Sequence, residues 1–404
     1  MIKAVLLDLD DTLLSLDTEA FSRKYLGAMA AYIMQRHPAL SIERYQQTVR
    51  TAIQSVVKNR DPNRTNAEVM NSAFSVGLDI PLELLEQQVD AFYVDVFPTL
   101  RGGAAAMEGS SALIAALVKR GYEVVVATNP VFPPWPVHSR LRWAGLDPEA
   151  GQFRLITTMD IMHFCKPTPH YYEEILAQIG VEAEDAIMVG DSLENDIIPA
   201  RAAGLATFWI RPQGAPQPPE VTLDGAGSLL DFLRCVQEGW LNAITPQPRT
   251  AAQVAPRMIG NVAALYGLTR QLGDEGWLTR PRADEWNPLE LVTHLHQSES
   301  ATQRAQLLRI AIEDNPFLPP TPPPPNPGQL ELNGRTGPSE LNAFWAERQA
   351  TLAWLAGLPG EAWDRPARHS IFGPTSLLEM AHFTARHDRL HINQLCEMIG
   401  HCNV

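Results

Sequence analysis

The chain carries only four cysteines in 404 residues, Cys165, Cys235, Cys396 and Cys402, with no Cys-x-x-Cys pair among them. That excludes a disulfide framework and a zinc ribbon, and it makes a reducing cytoplasm the expected compartment. Positive charge is also scarce: 32 Lys and Arg stand against 46 Asp and Glu, a formal net charge of −14. Nucleic acid is held by clustered cations, so it is excluded as the main partner. Long apolar runs are missing too. Although 45% of the chain is hydrophobic, no run approaches the roughly 18 residues that a membrane helix needs. A globular chain of this length exceeds one hydrophobic core and predicts two domains or three.

What is present starts at the first residue. Met1-Ile-Lys-Ala-Val-Leu-Leu runs straight into Asp8-Leu-Asp10-Asp11-Thr12. Near-continuous apolar side chains read as a parallel strand buried on both faces. Carboxylates at its carboxyl end would project into the crevice where open α/β sheets bind ligands. A site so close to the start leaves no room for a targeting segment, which is the expectation for this end of the chain.

Residues 16–105 are helical in pattern and read as an inserted lid, with apolar residues three and four apart in Ala28-Met-Ala-Ala-Tyr-Ile-Met. Strands and helices then alternate. A helix near 110–120 precedes strands at 122–128, 155–157, 186–189 and 206–210, which predicts a parallel sheet wrapped by helices. Residues 212–219 read as a loop leaving the sheet, and Thr245-Pro-Gln-Pro marks a stronger break. The expected layout is a core from 1–15 and 106–240, a cap over 16–105, a linker at 241–250 and a bundle over 251–404. In that last part the strand signal vanishes. Amphipathic segments near 250–274, 287–313, 337–357 and 374–399 give the count of a four-helix bundle. The proline-rich stretch 319–327 reads as an extended surface loop.

The first part holds a complete set of groups for phosphoryl transfer through an aspartyl phosphate. Asp8 is the candidate nucleophile. Asp10 lies two residues on, hence on the same side of extended backbone, and is the candidate acid and base. Thr12 would brace that loop and help hold substrate. Thr128 and Asn129 end a second strand and could cradle a phosphate, while Lys166, stiffened by Pro167 and Pro169, could neutralise it. Asp191 and Asp196 close a further strand and, with Asp8 and Asp10, form a candidate Mg²⁺ set of hard oxygen ligands. Asp196 could also act from behind the directly bound ligands. Cys165, Trp135 and His138 lie near these positions, but a buried small hydrophobe and a rigid Pro-rich loop are the simpler readings.

DLDDT at 8–12, ATN at 127–129, KP at 166–167 and GDSLEND at 190–196 resemble, in order, the four motifs of the haloacid dehalogenase superfamily over about residues 1–235. The resemblance implies a doubly wound, Rossmann-like α/β core with a helical cap between the first two motifs. Members that cleave carbon–halogen bonds typically lack the second acid of the first motif and the Gly-Asp of the fourth. Because both are present, the resemblance implies a magnesium-dependent phosphatase for a small phosphate ester. Phosphomutase and metal-free dehalogenase chemistry are the alternatives, as is a metal- or thiol-sensing binding protein on a non-hydrolytic scaffold. Pro199 stands where the family has a small residue, and a proline in the first helical turn is tolerated.

Seven of the eleven histidines fall at or after residue 294. His387 and His391 are four apart in a helical stretch and share a face, and His294 lies in another helix of the bundle. The three could converge on one ion; a solvated i, i+4 pair is the plain alternative. His296 is about 200° round the helix from His294, at about 100° per residue, and points away. Glu299, Arg386 and Asp388 read as charges on exposed helix faces. Trp286-Asn-Pro before His294, with HxxxHxxQL in the last helix, resembles the DinB/YfiT-like metalloenzymes over about 250–400. That resemblance implies an all-α bundle holding zinc, nickel or iron on His294, His387 and His391, and two copies could pair through the bundle.

Overall fold

The computed structural model describes residues 1–211, 216, 220–321, 323 and 325–402. The expected loops at 212–219 and 319–327 therefore lie partly outside the described residues. The chain divides into two compact units, Met1–Pro248 and Arg249–Val404.

The first unit begins with β1 (Ala4–Leu7) and the two-residue β2 (Leu14–Ser15), followed by four helices: α1 (Thr18–Arg36), α2 (Ile42–Val57), α3 (Asn66–Leu78) and α4 (Leu82–Asp95). Side chains of Asp17, Ser41 and Thr65 accept backbone N–H bonds at the starts of α1, α2 and α3, which satisfies donors that a helix leaves open. β3 (Ala105–Ala106) returns antiparallel to β2 and closes the insert. Then come α5 (Ser110–Lys119), β4 (Glu123–Val126), α6 (Pro134–Trp143), β5 (Leu155–Ile156), α7 (Pro169–Ile179), β6 (Ala186–Gly190), α8 (Ile198–Ala202), β7 (Ala206–Ile210), β8 (Gly225–Gly227) and α9 (Leu229–Glu238).

The sheet has order β5-β4-β1-β6-β7-β8, and every pairing in it is parallel. Side chains of β1, β6 and β7 are buried throughout, as strands covered by helices on both faces require. The chain builds outward from β1 to β4 and β5, then returns to β6 on the other side. That reversal opens a crevice beyond the carboxyl end of β1. Leu241 is fully buried in this unit's core, so the expected linker begins inside the packed structure.

The second unit contains α10 (Val254–Thr269), α11 (Asp274–Leu278), α12 (Pro288–Ser298), α13 (Arg304–Ile312), β9 (Phe317–Leu318), α14 (Gly337–Ala356), β10 (Pro366–His369), β11 (Gly373–Ser376) and α15 (Leu377–Cys402). A single π turn, Glu299–Gln303, joins α12 to α13. The four expected helical segments are all here. The expected absence of strands is corrected: β11, β10 and β9 form a small sheet. These strands of two to four residues, Phe-Leu, Pro-Ala-Arg-His and Gly-Pro-Thr-Ser, are too short and too poor in alternating apolar residues to show a period of two.

Candidate active site and candidate metal centre

The strand ends at the switch point bring the candidate residues together. Asp8 follows β1 and extends its ladder, its N–H donating to Val189 O at 2.9 Å. The chain then turns through Asp11, which has φ of 57°; aspartate tolerates this left-handed region because its carboxylate bonds locally. Asp11 Oδ1 accepts from Leu16 N at 3.3 Å, and Oδ2 from the Thr18 hydroxyl at 3.1 Å. Bracing of this loop thus falls to Asp11, whereas the expected brace, Thr12 Oγ1, is buried without a hydrogen-bond partner among the described residues.

Lys166 reaches into the same space and donates to Asp8 Oδ1 at 2.6 Å and to Asp196 Oδ1 at 2.5 Å. Gly190 makes this possible, because a Cβ there would sit 2.3 Å from Asp196 Oδ2. Asp196 folds back over the end of β6, and its Oδ2 accepts from Ser192 N at 3.0 Å. Tyr172 donates to Asn195 O at 2.6 Å, and Trp209 Nε1 donates to Asp191 O at 2.8 Å. The carbonyl of Thr128 is held by Thr157 at 2.7 Å and Tyr171 at 2.8 Å. Behind Lys166, the buried Glu174 accepts the N–H groups of His163 and Phe164 and pairs with His163 Nδ1 at 2.7 Å. The segments at Thr128, His163–Phe164 and Asp191–Asn195 are thus each anchored by buried side chains.

The electrostatics point to a missing positive charge. Carboxylate oxygens of Asp8, Asp191 and Asp196 lie within 4.8 Å of one another, with the Lys166 ammonium on two of them. Burial, with Asp8 and Asp196 adding to it, pushes the Asp191 carboxyl up to about 7. Burial likewise raises Asp196, against the pull of Lys166. Burial disfavours charge on Lys166, but Asp196 and Asp8 outweigh it and hold the ammonium well above its ordinary value. Converging carboxylates that one lysine does not neutralise suit a hard divalent cation. Asn129 Oδ1 and Asp10 Oδ1, on adjoining loops, are buried without partners among the described residues.

The Asp10 side chain stands apart from that cluster. Its Oδ2 is paired with Arg140, a residue of α6 that is 2% exposed. Asp10 was expected among the magnesium ligands, but its carboxylate turns to Arg140 instead. Burial raises its pKa, and Arg140 opposes the rise. Cys165 is buried, and burial pushes its thiol up to about 12, the condition of an inert cysteine.

In the second unit, Asn287 caps α12 through Glu290 N at 2.8 Å, and Glu290 answers to Asn287 N at 3.0 Å. That fixes the helix start, and His294 follows in its second turn. Ligand atoms of His294, His387 and His391 lie within 4.8 Å of one another. The Trp286 ring stacks against His391, with centroids 6.0 Å apart. Gln303 meets His387 Nδ1 at 3.0 Å, and Gln394 Oε1 meets His391 Nδ1 at 3.1 Å. Burial, aided by the neighbouring rings, lowers His294 to about 3 and His387 to about 4, and burial also lowers His391. All three imidazoles are thus neutral at pH 7, the form that binds metal. His296 instead pairs with Glu340 at 2.9 Å.

Two expected surface charges prove to be core. Glu299 and Asp388 are fully buried and both bind Arg348, which is itself 0% exposed. Arg348 reaches Glu299 through Nε at 3.0 Å and Nη2 at 2.9 Å, and Asp388 through Nη1 at 2.8 Å. Arg386, by contrast, is exposed as expected.

A family description of haloacid dehalogenase-like hydrolases matches residues 2–204, half of the chain. The chain belongs to the haloacid dehalogenase-like hydrolases. Its second unit carries a DinB superfamily domain, matched over residues 260–395. The HAD-hydrolase YfnB of Bacillus subtilis is 28% identical over 226 residues, 54% of this chain and 88% of that protein. A phosphoglycolate phosphatase of Rhodospirillum rubrum is 32% identical over 157 residues, 39% of this chain and 61% of that one. A phosphoserine phosphatase of Thermus thermophilus is 32% identical over 115 residues, 28% of this chain and 44% of that one.

In this haloacid dehalogenase-like hydrolase the residues that sequence reasoning missed are Arg140, Tyr171, Tyr172, Trp209 and Arg348. None sits in a motif. Arg140 meets Asp10 across 130 residues of chain, and spacing alone carries no signal for such a pair. Among the described residues no helix is long and apolar enough to cross a membrane.

Proposed function

We propose that the first unit is a magnesium-dependent phosphatase that acts on a small phosphorylated metabolite through an aspartyl phosphate on Asp8. The observation that carries this reading is the convergence of Asp8, Asp191 and Asp196 with Lys166 on Asp8. Lys166 holds Asp8 Oδ1 at 2.6 Å, so the other carboxylate oxygen attacks phosphorus and the P–O bond to the leaving alcohol breaks. Asp10 gives that alcohol its proton through Oδ1, the oxygen that Arg140 leaves free. Asp10 then takes a proton from water, whose oxygen attacks the phosphorus of phospho-Asp8; inorganic phosphate leaves and the carboxylate is restored. Thr128, Asn129 and Thr12 are the donors proposed to hold phosphoryl oxygens. Mg²⁺ on Asp8, Asp191 and Asp196 would supply charge neutralisation for the transferring phosphoryl group.

Phosphate release from an aryl phosphate is expected with added magnesium, to be lost on treatment with EDTA, and to return when magnesium is restored. Release that ignores the chelator would remove the carboxylate cluster from the mechanism. Halide release from a 2-haloacid without magnesium would favour the dehalogenase alternative, which three converging carboxylates argue against.

The second unit is proposed to hold one divalent transition metal on His294, His387 and His391. Three neutral imidazoles leave further coordination positions open. The two glutamines support this arrangement. Gln394 Oε1 accepts from His391 Nδ1–H, and Gln303 Oε1, buried without a partner among the described residues, would do the same for His387 if turned onto its ring nitrogen. Each contact leaves Nε2 free to bind metal. Elemental analysis of protein purified without chelator or affinity histidines should find about one equivalent of zinc, nickel or iron per chain. His391→Ala should lose most of it, and unchanged content in that variant would count against the site.

A further inference from the structure

The cap lines a partly open cavity of about 450 Å³ between α1 to α4, residues 131–135 and the loop of Met159 and Asp160. Protein interiors rarely leave voids larger than a water molecule, and a cavity of this size matches a ligand pocket. A phosphoryl group alone does not need it. The cavity adjoins the residues proposed to carry the chemistry. The Phe132 ring lies between the Arg140 guanidinium, 4.7 Å from its centroid, and the Tyr25 ring, 5.3 Å away. Arg140 holds Asp10, the proposed proton donor to the leaving alcohol. Phe132, which lines the cavity, contacts Arg140, and Arg140 contacts Asp10, so the cavity lies two side chains from the proposed proton donor.

The walls set the chemistry. Tyr25, Phe74, Tyr93 and Trp135 supply aromatic faces, and most of the remaining lining is Leu, Ile, Val and Met. Among the described residues, the charged ones of the lining are Glu86, Asp90 and Asp160, with no Lys, Arg or His. Asn71 donates to Glu86 at 2.9 Å, which leaves the acidic character in place. An apolar ring gains from burial here, whereas a carboxylate would lose water and meet like charge.

We infer that this cavity receives the leaving alcohol, and that the preferred substrates are phosphate monoesters of apolar, ring-bearing alcohols without negative charge. This inference rests on the phosphatase reading. The full chain with magnesium is assayed on propyl phosphate, 3-phenylpropyl phosphate and 4-phosphonooxybutanoate, primary alkyl esters of similar leaving ability. kcat/KM for the phenyl ester should exceed that for propyl phosphate by at least about tenfold, and the carboxylate ester should fall below propyl phosphate. Val49→Trp, which fills the cavity from α2, should bring the phenyl-to-propyl ratio close to one. Should that variant fail to fold, the double change Glu86→Gln with Asp160→Asn should raise the carboxylate ester relative to propyl phosphate.

A wild-type phenyl-to-propyl ratio near one, or a carboxylate ester turned over as well as the phenyl ester, would overturn the inference alone. Absence of phosphate release from all three esters would overturn the phosphatase reading and the inference with it.

Discussion

Asp8→Asn is expected to lower magnesium-dependent phosphate release from an aryl phosphate by at least about 10³-fold while the protein stays folded. The amide is too weak a nucleophile to attack phosphorus, and no other carboxylate of the cluster combines a lysine contact with the place next to Asp10. Asp191 is pushed up to about 7, so a large fraction of it is protonated at neutral pH without a cation. Asp196 is fixed by Lys166 and by Ser192 N. Folding should survive because Lys166 keeps Asp196 as a partner and one source of like-charge repulsion disappears. Steady-state phosphate release with circular dichroism on the same samples checks both halves. Activity within tenfold of wild type would remove Asp8 from the role of nucleophile.

Arg348→Met should destabilise the second unit by about 3–5 kcal/mol, the usual result of removing one partner from a buried ion cluster. Arg348 binds two fully buried carboxylates and also donates to Met258 O at 3.4 Å, so it ties α14 to α10, to the π turn and to α15. Asn261 supports the same cluster, donating to Ala385 O at 2.8 Å and to Asp388 Oδ2 at 3.3 Å. Against the cost of burial, Arg348 holds the Glu299 carboxyl below its ordinary range. With methionine in its place, two carboxyl groups stay buried without a cation. Hydrogen exchange should quicken in α10 and α15 and stay unchanged in β1, β6 and β7, because the effect belongs to one unit. Adding Glu299→Gln and Asp388→Asn should recover much of the loss. Unchanged exchange in the single variant would mean that the cluster is dispensable.

The parts of this architecture that were legible in the amino-acid sequence are those that repeat or run on. Val-Leu-Leu in β1, Val-Val-Val in β4 and Ile-Met-Val in β6 read as buried strands because both faces are covered. The cap helices read from their three-and-four spacing. Asp8, Thr128, Lys166 and Asp191 were legible because each closes a strand or opens a loop at the switch point, where position restricts residue type. β8, Gly-Ala-Gly, has a single methyl side chain, too little for a strand period to be read. Buried arginines were the larger gap. Arg140 and Arg348 carry no signal in the sequence because what buries them, Asp10 in one case and Glu299 with Asp388 in the other, lies far along the chain. Glu299 and Asp388 were misread for the same reason, since a charge becomes tolerable in a core only through its partner.

The central claim is that Asp8 becomes phosphorylated. Its most direct measurement is tandem mass spectrometry of the full chain, acid-quenched at short times during turnover of an aryl phosphate with magnesium. One phosphoryl group on Asp8, absent when magnesium is omitted and absent in Asp8→Asn, is the expected result. A phosphoryl group on a different residue, or steady hydrolysis with no phosphorylated protein at any quench time, would contradict it.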